Sequence, residues 1–148
     1  RPTGEIKSVE GTPMDFRTPH ALGDSIKSDF DQIQNATGYD HNFCLNTYKD
    51  GKGDDTQVCA SLYSPKTGIF MEMFTNEPGV QVYSGNFQGV GADATILRKH
   101  GITYPKHVSV CLESQKYPDS PNHPEWIQPT LNPDEKYYSH AAYKFSIK

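Results

Sequence analysis

Residues 107–115 of this 148-residue chain alternate between two kinds of side chain. In an extended chain, side chains two residues apart share a face, so Val108, Val110 and Leu112 are predicted to form an apolar core face. The opposite face is small and polar and carries one carboxylate; its members are His107, Ser109, Cys111, Glu113 and Gln115. Such a face is typical of a groove that binds a polar ligand, so Glu113 is a candidate site residue. The alternative is that Glu113 faces solvent at the end of a strand.

The segment Gly-Tyr-Asp-His-Asn-Phe at residues 38–43 joins a turn to an apolar run. Gly38 permits a tight turn, and a polar triplet leads directly into residues 43–45. Asp40 is therefore predicted at a junction between loop and strand, where a rigid scaffold commonly holds a binding carboxylate. An Asx turn or a cap at the strand end is the alternative interpretation of Asp40.

The third candidate is Gln81, which interrupts an otherwise apolar strand within residues 78–87. Its side chain is predicted to face away from Val80 and Val82. A primary amide both donates and accepts hydrogen bonds, so Gln81 is suited to bind a pair of ligand hydroxyls. It is equally compatible with the outer surface of a β-sandwich.

Several other kinds of chemistry lack a motif. The six histidines show no metal-binding spacing, and HExxH and CxxC do not occur, so we expect no metal. A Gly-x-Ser-x-Gly elbow and a phosphate-binding glycine loop are also absent, and we expect no cofactor. With a net charge of −4 and no stripe of Lys or Arg, the chain is not expected to bind nucleic acid. No apolar run is long enough to span a bilayer, so no membrane partner is expected.

The cysteines Cys44, Cys59 and Cys111 are odd in number and widely spaced. Their apolar or β-patterned surroundings favour reduced, buried thiols over a disulfide framework. The first residues also lack the apolar segment of a signal peptide. We therefore expect a cytoplasmic protein.

The distribution of turn residues predicts an all-β fold. Short alternating runs are separated by Gly, Pro, Asn and Asp clusters, a pattern typical of antiparallel β structure. Residues 57–63 and 69–75 are predicted to pair across a Pro- and Gly-containing turn. Further strands are predicted at residues 42–46, 79–83, 107–114 and 137–147. A short helix is predicted where Leu22, Ile26 and Phe30 recur, and five prolines make residues 117–133 an extended surface arm. Together these elements predict one β-sandwich domain over residues 1–148.

Four segments, in the same order and at similar spacing, resemble the aldose 1-epimerase family, closest to its animal galactose mutarotases. They are residues 11–17 (GTPMDFR), 38–43 (GYDHNF), 78–87 (PGVQVYSGNF) and 111–115 (CLESQ). The resemblance covers nearly the whole chain and identifies it as the C-terminal portion of such an enzyme. It implies a large sandwich, called a supersandwich, of mostly antiparallel strands with a sugar groove on one concave face.

The resemblance also implies roles for the three candidate residues. Glu113 corresponds to the general base of the family, and Asp40 and Gln81 correspond to residues of the sugar site. The implied reaction is mutarotation, the interconversion of α and β anomers of free hexoses such as galactose and glucose. Ser114 departs from the family pattern, in which Thr is more usual.

The catalytic histidines of the family, including its general acid, and its sugar-contacting arginine belong to an N-terminal portion that has no counterpart in this chain. We therefore expect the chain to be inactive alone and to have that portion as its partner, possibly as a separate polypeptide. Two alternatives remain at this point. One is a carbohydrate-binding module without catalysis, and the other is a glycosidase that uses Glu113 and Asp40 as paired carboxylates.

Overall fold

A computed structural model describes residues 3–148 of the chain, and strands account for most of its regular structure. Its longer strands are β1 (Asp40–Cys44), β4 (Ala60–Tyr63), β5 (Ile69–Thr75), β6 (Gly79–Tyr83), β7 (Cys111–Gln115) and β8 (Ala141–Ile147). β2 (Tyr48–Lys49) and β3 (Lys52–Gly53) form a small antiparallel pair. The α-helix α1 (Asp31–Ala36) and four short 3-10 turns, Leu22–Asp24, Gly91–Thr95, Lys99–Gly101 and Ser120–Asn122, complete the described elements. The predicted all-β class is confirmed.

The chain divides into two compact units. The first comprises Asn42–Val80 and Ser114–Lys148 together with Thr3 and Gly4. The second comprises Glu5–His41 and Gln81–Glu113. That residues 1–148 form a single domain stays a prediction.

In the first unit, β4, β5 and β8 form an antiparallel sheet with β5 in the middle. The turn between β4 and β5 closes through hydrogen bonds from Ser64 N to Ile69 O (2.9 Å) and from Gly68 N to Ser64 O (2.8 Å). Gly68 has a φ of 73°, which favours glycine at this position. The predicted hairpin is therefore confirmed. Met73 of β5, which pairs with Ala60, is fully buried.

A second sheet has the strand order β1-β6-β7. β6 has the predicted bounds, whereas β1 begins at Asp40 and not at residue 42. β7 begins at Cys111, so the prediction of a strand from residue 107 is wrong in its first half. The reason lies in His107, whose φ of 64° breaks the extended chain and whose N–H donates to Gly85 O at 3.1 Å. Val108 consequently is 49% exposed and does not belong to the core, while Leu112 is buried as predicted.

The predicted helix is displaced along the chain. Leu22–Asp24 form only a 3-10 turn and Ile26 lies in the turn that follows, because Gly23, Asp24 and Ser25 are weak helix formers. The α-helix begins after Phe30, where Asp31 adds a favourable negative charge to its first turn.

The proline-rich arm at residues 117–133 contains no described strand, as predicted, but it is not extended throughout. The Gln128 Nε2 lies within hydrogen-bonding distance of three main-chain oxygens, those of Ser120 (2.9 Å), His123 (2.8 Å) and Trp126 (3.0 Å), which share its two hydrogens. Trp126 also stacks on the His123 ring, with centroids 4.0 Å apart. These contacts fold the middle of the arm back on itself.

The cysteines carry free thiols, but their burial differs from the prediction. Cys44 is exposed because it is the last residue of β1, an outer strand of its sheet. Cys59 is half-buried, its thiol donates to Met73 O at 3.2 Å, and burial raises the pKa of that thiol. None of the helices found between residues 3 and 148 is both long and apolar enough to cross a membrane.

We expect Cys44 to react with a thiol reagent faster than Cys59 in the native protein. The attacking species is the thiolate, which must be both formed and accessible, and Cys59 is deficient in both respects. Timed alkylation followed by peptide mass spectrometry measures the two rates. Equal rates under native conditions would contradict the described burial, and equal rates in denaturant serve as the control.

Candidate active site

The three residues predicted from the sequence lie on three neighbouring strands within the second unit. Asp40 is the first residue of β1, Gln81 is the central residue of β6, and Glu113 is the central residue of β7. Because β6 lies between β1 and β7, the sheet order places Gln81 between the two acidic residues. Segments that are far apart in the sequence thus contribute to one sheet.

Asp40 and Gln81 are in direct contact. The Gln81 Nε2 donates to the Asp40 Oδ1 at 2.7 Å, and both residues are half-buried. Only the NH₂ group of an amide can donate to a carboxylate, so this bond also sets which side of the Gln81 amide faces Asp40. A charge-assisted bond of this length holds both side chains in place before any ligand binds.

Glu113 is exposed, in contrast to its neighbour Leu112, which is buried. Within residues 3–148, its carboxylate forms neither a hydrogen bond nor an ion pair, and the structure does not join it to Asp40 or Gln81. An exposed, unpaired carboxylate is chemically able to accept a proton from a bound molecule. The candidate site therefore consists of a hydrogen-bonded pair, Asp40 and Gln81, and a separate carboxylate, Glu113.

The turn that leads into Asp40 is held by a buried polar cluster. The Asn86 amide donates to Ala36 O at 2.8 Å and to Tyr39 O at 3.0 Å, while the Ser84 hydroxyl donates to Asn86 Oδ1 at 2.5 Å. Tyr39 N in turn donates to the same hydroxyl at 2.9 Å. Gly38 has a φ of 141°, and a Cβ at this position would collide with the Asn86 side chain. We call Ser84, Asn86 and Tyr39 the turn cluster.

Sequence reasoning missed the turn cluster as a positioning device. The available signal was two polar residues, Ser84 and Asn86, immediately after an apolar strand. Their partners lie some 45–50 residues earlier in the chain, and periodicity does not reveal such partners.

His41 was considered from the sequence only as a metal ligand, and the structure gives it another environment. Its Nδ1 accepts a hydrogen bond from the Asp40 main-chain N–H at 3.0 Å. Burial lowers the pKa of His41 below the ordinary histidine value of 6.5, although the nearby Asp40 charge opposes this. Among the described residues, no group of three or more His, Cys, Asp or Glu side chains is arranged to hold a metal ion.

A second amide pair lies in the first unit. Gln115 Nε2 donates to Asn42 Oδ1 at 3.1 Å, from the last residue of β7 to the middle of β1. The amides reach across β6 at Gly79, where a Cβ would collide with the Asn42 side chain. Gln115 was assigned from the sequence to the polar face, but this partner was not predicted.

The second unit also contains an open cavity of about 440 Å³. Lys27, Lys106 and His107 are among its lining residues, and Asp40, Gln81 and Glu113 are not. The candidate site is therefore the face of the sheet and not this cavity.

Comparison with known proteins gives consistent results. The family model described as aldose 1-epimerase matches residues 1–144. The chain is 41% identical to galactose mutarotase from Mus musculus and 40% identical to the Homo sapiens protein, covering 99% of this chain and 39% of each relative. It is 38% identical to aldose 1-epimerase from Escherichia coli, over 97% of this chain and 39% of that protein.

One solved structure extends the comparison to the fold. The crystal structure of the GalM/aldose epimerase homologue from C. elegans superposes with a TM-score of 0.78 at 26% sequence identity. The match covers 99% of this chain and 40% of that one. It supports the predicted fold class, that of the aldose 1-epimerase sandwich.

We expect Gly38→Ala to destabilise the protein by about 1–3 kcal/mol, because alanine at this φ is strained and its methyl group meets the turn cluster. Gly23→Ala is the control, since a Cβ there has open space around it. Denaturant unfolding of both variants gives the two free energies. Equal stabilities would show that the turn does not depend on glycine.

Proposed function

Because this chain belongs to the aldose 1-epimerase family, we propose that it carries part of the sugar site of a mutarotase. The proposed reaction interconverts the α and β anomers of free hexoses such as galactose and glucose. The observation that carries the proposal is the Asp40–Gln81 hydrogen bond of 2.7 Å, on strands next to the one that presents Glu113. These are the three positions to which the family resemblance assigns the base and two sugar contacts.

In the proposed mechanism, Glu113 takes the proton from the anomeric hydroxyl while an acid protonates the ring oxygen. The bond between C1 and the ring oxygen breaks, which leaves an open-chain aldehyde. Rotation about the C1–C2 bond exposes the other face of the carbonyl, and closure returns both protons. Asp40 and Gln81 bind sugar hydroxyls throughout, with Asp40 accepting and the Gln81 amide supplying polar contacts.

We further propose that the acid comes from an N-terminal portion of the same enzyme, so that the present chain is inactive alone. The chain spans 39% of the length of the relatives it matches. An apolar sheet face supports this: Ile69 pairs with Ile147, and Met71 pairs with Phe145. Phe145 and Ile147 are 65% and 75% exposed, and exposed apolar faces mark interaction surfaces. We call Ile69, Phe145 and Ile147 the apolar face.

A cytoplasmic location is also proposed. Its support is the three free thiols, which are typical of a reducing compartment.

In the complete enzyme, Glu113→Gln is expected to lower kcat by about 100- to 10,000-fold, because the amide keeps the shape but does not accept the anomeric proton. Polarimetry on freshly dissolved α-galactose measures the rate. Glu72→Gln is the matched control, since Glu72 is also on a strand and pairs with Lys144 at 3.3 Å. A rate within a few-fold of wild type for Glu113→Gln would remove Glu113 from the mechanism. Sugar binding by a wild-type enzyme without anomer exchange would favour a binding module.

Asp40→Ala is expected to raise KM, since a charge-assisted hydrogen bond to a sugar hydroxyl is worth about 1.5–3 kcal/mol. The control is Asp54→Ala, which removes an exposed carboxylate that accepts from Thr56 N at 3.0 Å. Steady-state polarimetry gives KM, and thermal unfolding gives Tm. A fall in Tm with unchanged KM would mean that Asp40 is only a structural cap.

Residues 1–148 expressed alone are expected to self-associate through the apolar face, and Ile147→Lys should reduce this association. Ser146→Lys is the control, because alternation along β8 turns residue 146 to the opposite face of the sheet. Size-exclusion chromatography with light scattering, with and without the N-terminal portion, measures the assembly. A monomeric wild-type chain that unfolds cooperatively would contradict the partner proposal.

A further inference from the structure

We propose that His41 is a positioning residue for Asp40. Its imidazole accepts a hydrogen bond from the Asp40 main-chain N–H and thereby directs the Asp40 carboxylate toward a sugar hydroxyl. This inference rests on the proposed function, in which Asp40 contacts the sugar. It adds a residue that the family resemblance does not assign.

The geometry holds Asp40 from two sides. Its main-chain N–H donates to His41 Nδ1 at 3.0 Å, and its Oδ1 accepts from Gln81 Nε2 at 2.7 Å. The first contact constrains the backbone at the start of β1, and the second constrains the side chain. A binding group held in both ways loses less conformational freedom when the sugar arrives.

The contact also defines the state of the imidazole. Because Nδ1 accepts a hydrogen bond from the Asp40 main-chain N–H, the ring proton must lie on Nε2 and the ring must be neutral. The main chain of Gln32 in α1 favours the imidazolium form, as the Asp40 carboxylate does, but burial has the larger effect and lowers the pKa of His41.

Burial and a nearby charge have opposite effects on the His41 imidazole. On its own strand the Asp40 carboxylate favours the imidazolium form, but burial has the larger effect and lowers the pKa. On α1, the Asp31 carboxylate accepts from the Gln32 main-chain N–H at 2.7 Å and is thereby engaged with its own helix. The neutral, accepting form is thus the form present near neutral pH.

Two variants of the complete enzyme separate positioning from packing. His41→Phe keeps a ring of similar bulk but has no acceptor, whereas His41→Asn has an oxygen close to the position of Nδ1. We expect His41→Phe to raise KM by about three- to tenfold, the effect of one neutral hydrogen bond, with kcat nearly unchanged. His41→Asn is expected to restore most of the wild-type KM.

Two readouts remain decisive even if His41→Phe fails to fold. Nitrogen NMR of the wild-type imidazole should show the proton on Nε2 near neutral pH. In addition, wild-type KM should rise as the pH falls through the lowered pKa of His41, because the imidazolium has no acceptor. The rise of KM at low pH should be smaller in His41→Asn, because the Asn side-chain oxygen does not titrate in this range.

The outcomes distinguish this inference from the proposed function. Three results would each overturn the role of His41. They are an Nδ1–H tautomer, an unchanged KM in a folded His41→Phe variant, and the same rise of KM at low pH in wild type and His41→Asn. Absence of mutarotation in the wild-type enzyme, or an unchanged KM in Asp40→Ala, would instead overturn the proposed function and with it the need for positioning. In that second case the tautomer still tests the His41–Asp40 contact itself.

Discussion

The hydrogen bonds of the buried Asn86 amide are the constraint on which the second unit depends. Asn86 is 1% exposed, and its amide donates to the main-chain oxygens of Ala36, at the end of α1, and of Tyr39, just before β1. A buried polar group that loses its hydrogen-bond partners lowers the stability of the fold. The Asn86 side chain therefore holds together the end of α1, the turn before β1 and the segment after β6. The glycine at residue 38 follows from this, because any larger residue would occupy the space of the amide. The position of Asp40 is a consequence of that packing.

Asp40 and Glu113 illustrate two ways of using a carboxylate. Asp40 is half-buried and bonded to Gln81, so its geometry is set before a ligand arrives. Glu113 is exposed, between the buried Leu112 and the half-buried Ser114 of β7. A carboxylate that only binds the sugar benefits from a fixed position. A carboxylate that takes up and returns a proton must reach the solvent or the substrate in both its protonated and its deprotonated form. The proposed roles of the two residues agree with this difference.

Local signals in the sequence predicted the elements whose cause is local. The hairpin of β4 and β5 follows from alternation on both sides of residues 64–68, where Gly68 has the conformation of a tight turn. Alternation failed at His107, because a positive φ and a contact with the distant Gly85 end the extended chain there. The exposure of Cys44 was missed for a similar reason, since strand order decides which strand is outermost. The same limit applies to the site: sequence singled out Asp40 and Gln81 separately, but their contact depends on the order of strands in the sheet.

The order in which the β4-β5-β8 sheet can assemble has a consequence for folding. The β4–β5 hairpin closes over a short turn, which costs little loop entropy, so it is able to form early. β8 pairs with the other edge of β5 only after β6, β7 and the proline-rich arm have been made. During that interval one edge of β5 has no strand paired with it, and Met73 lacks its partner residue on β8, Tyr143. Slow, long-range pairing of this kind leaves a strand edge open to the wrong chain, so the kinetic risk of misassembly in this protein is concentrated at β5.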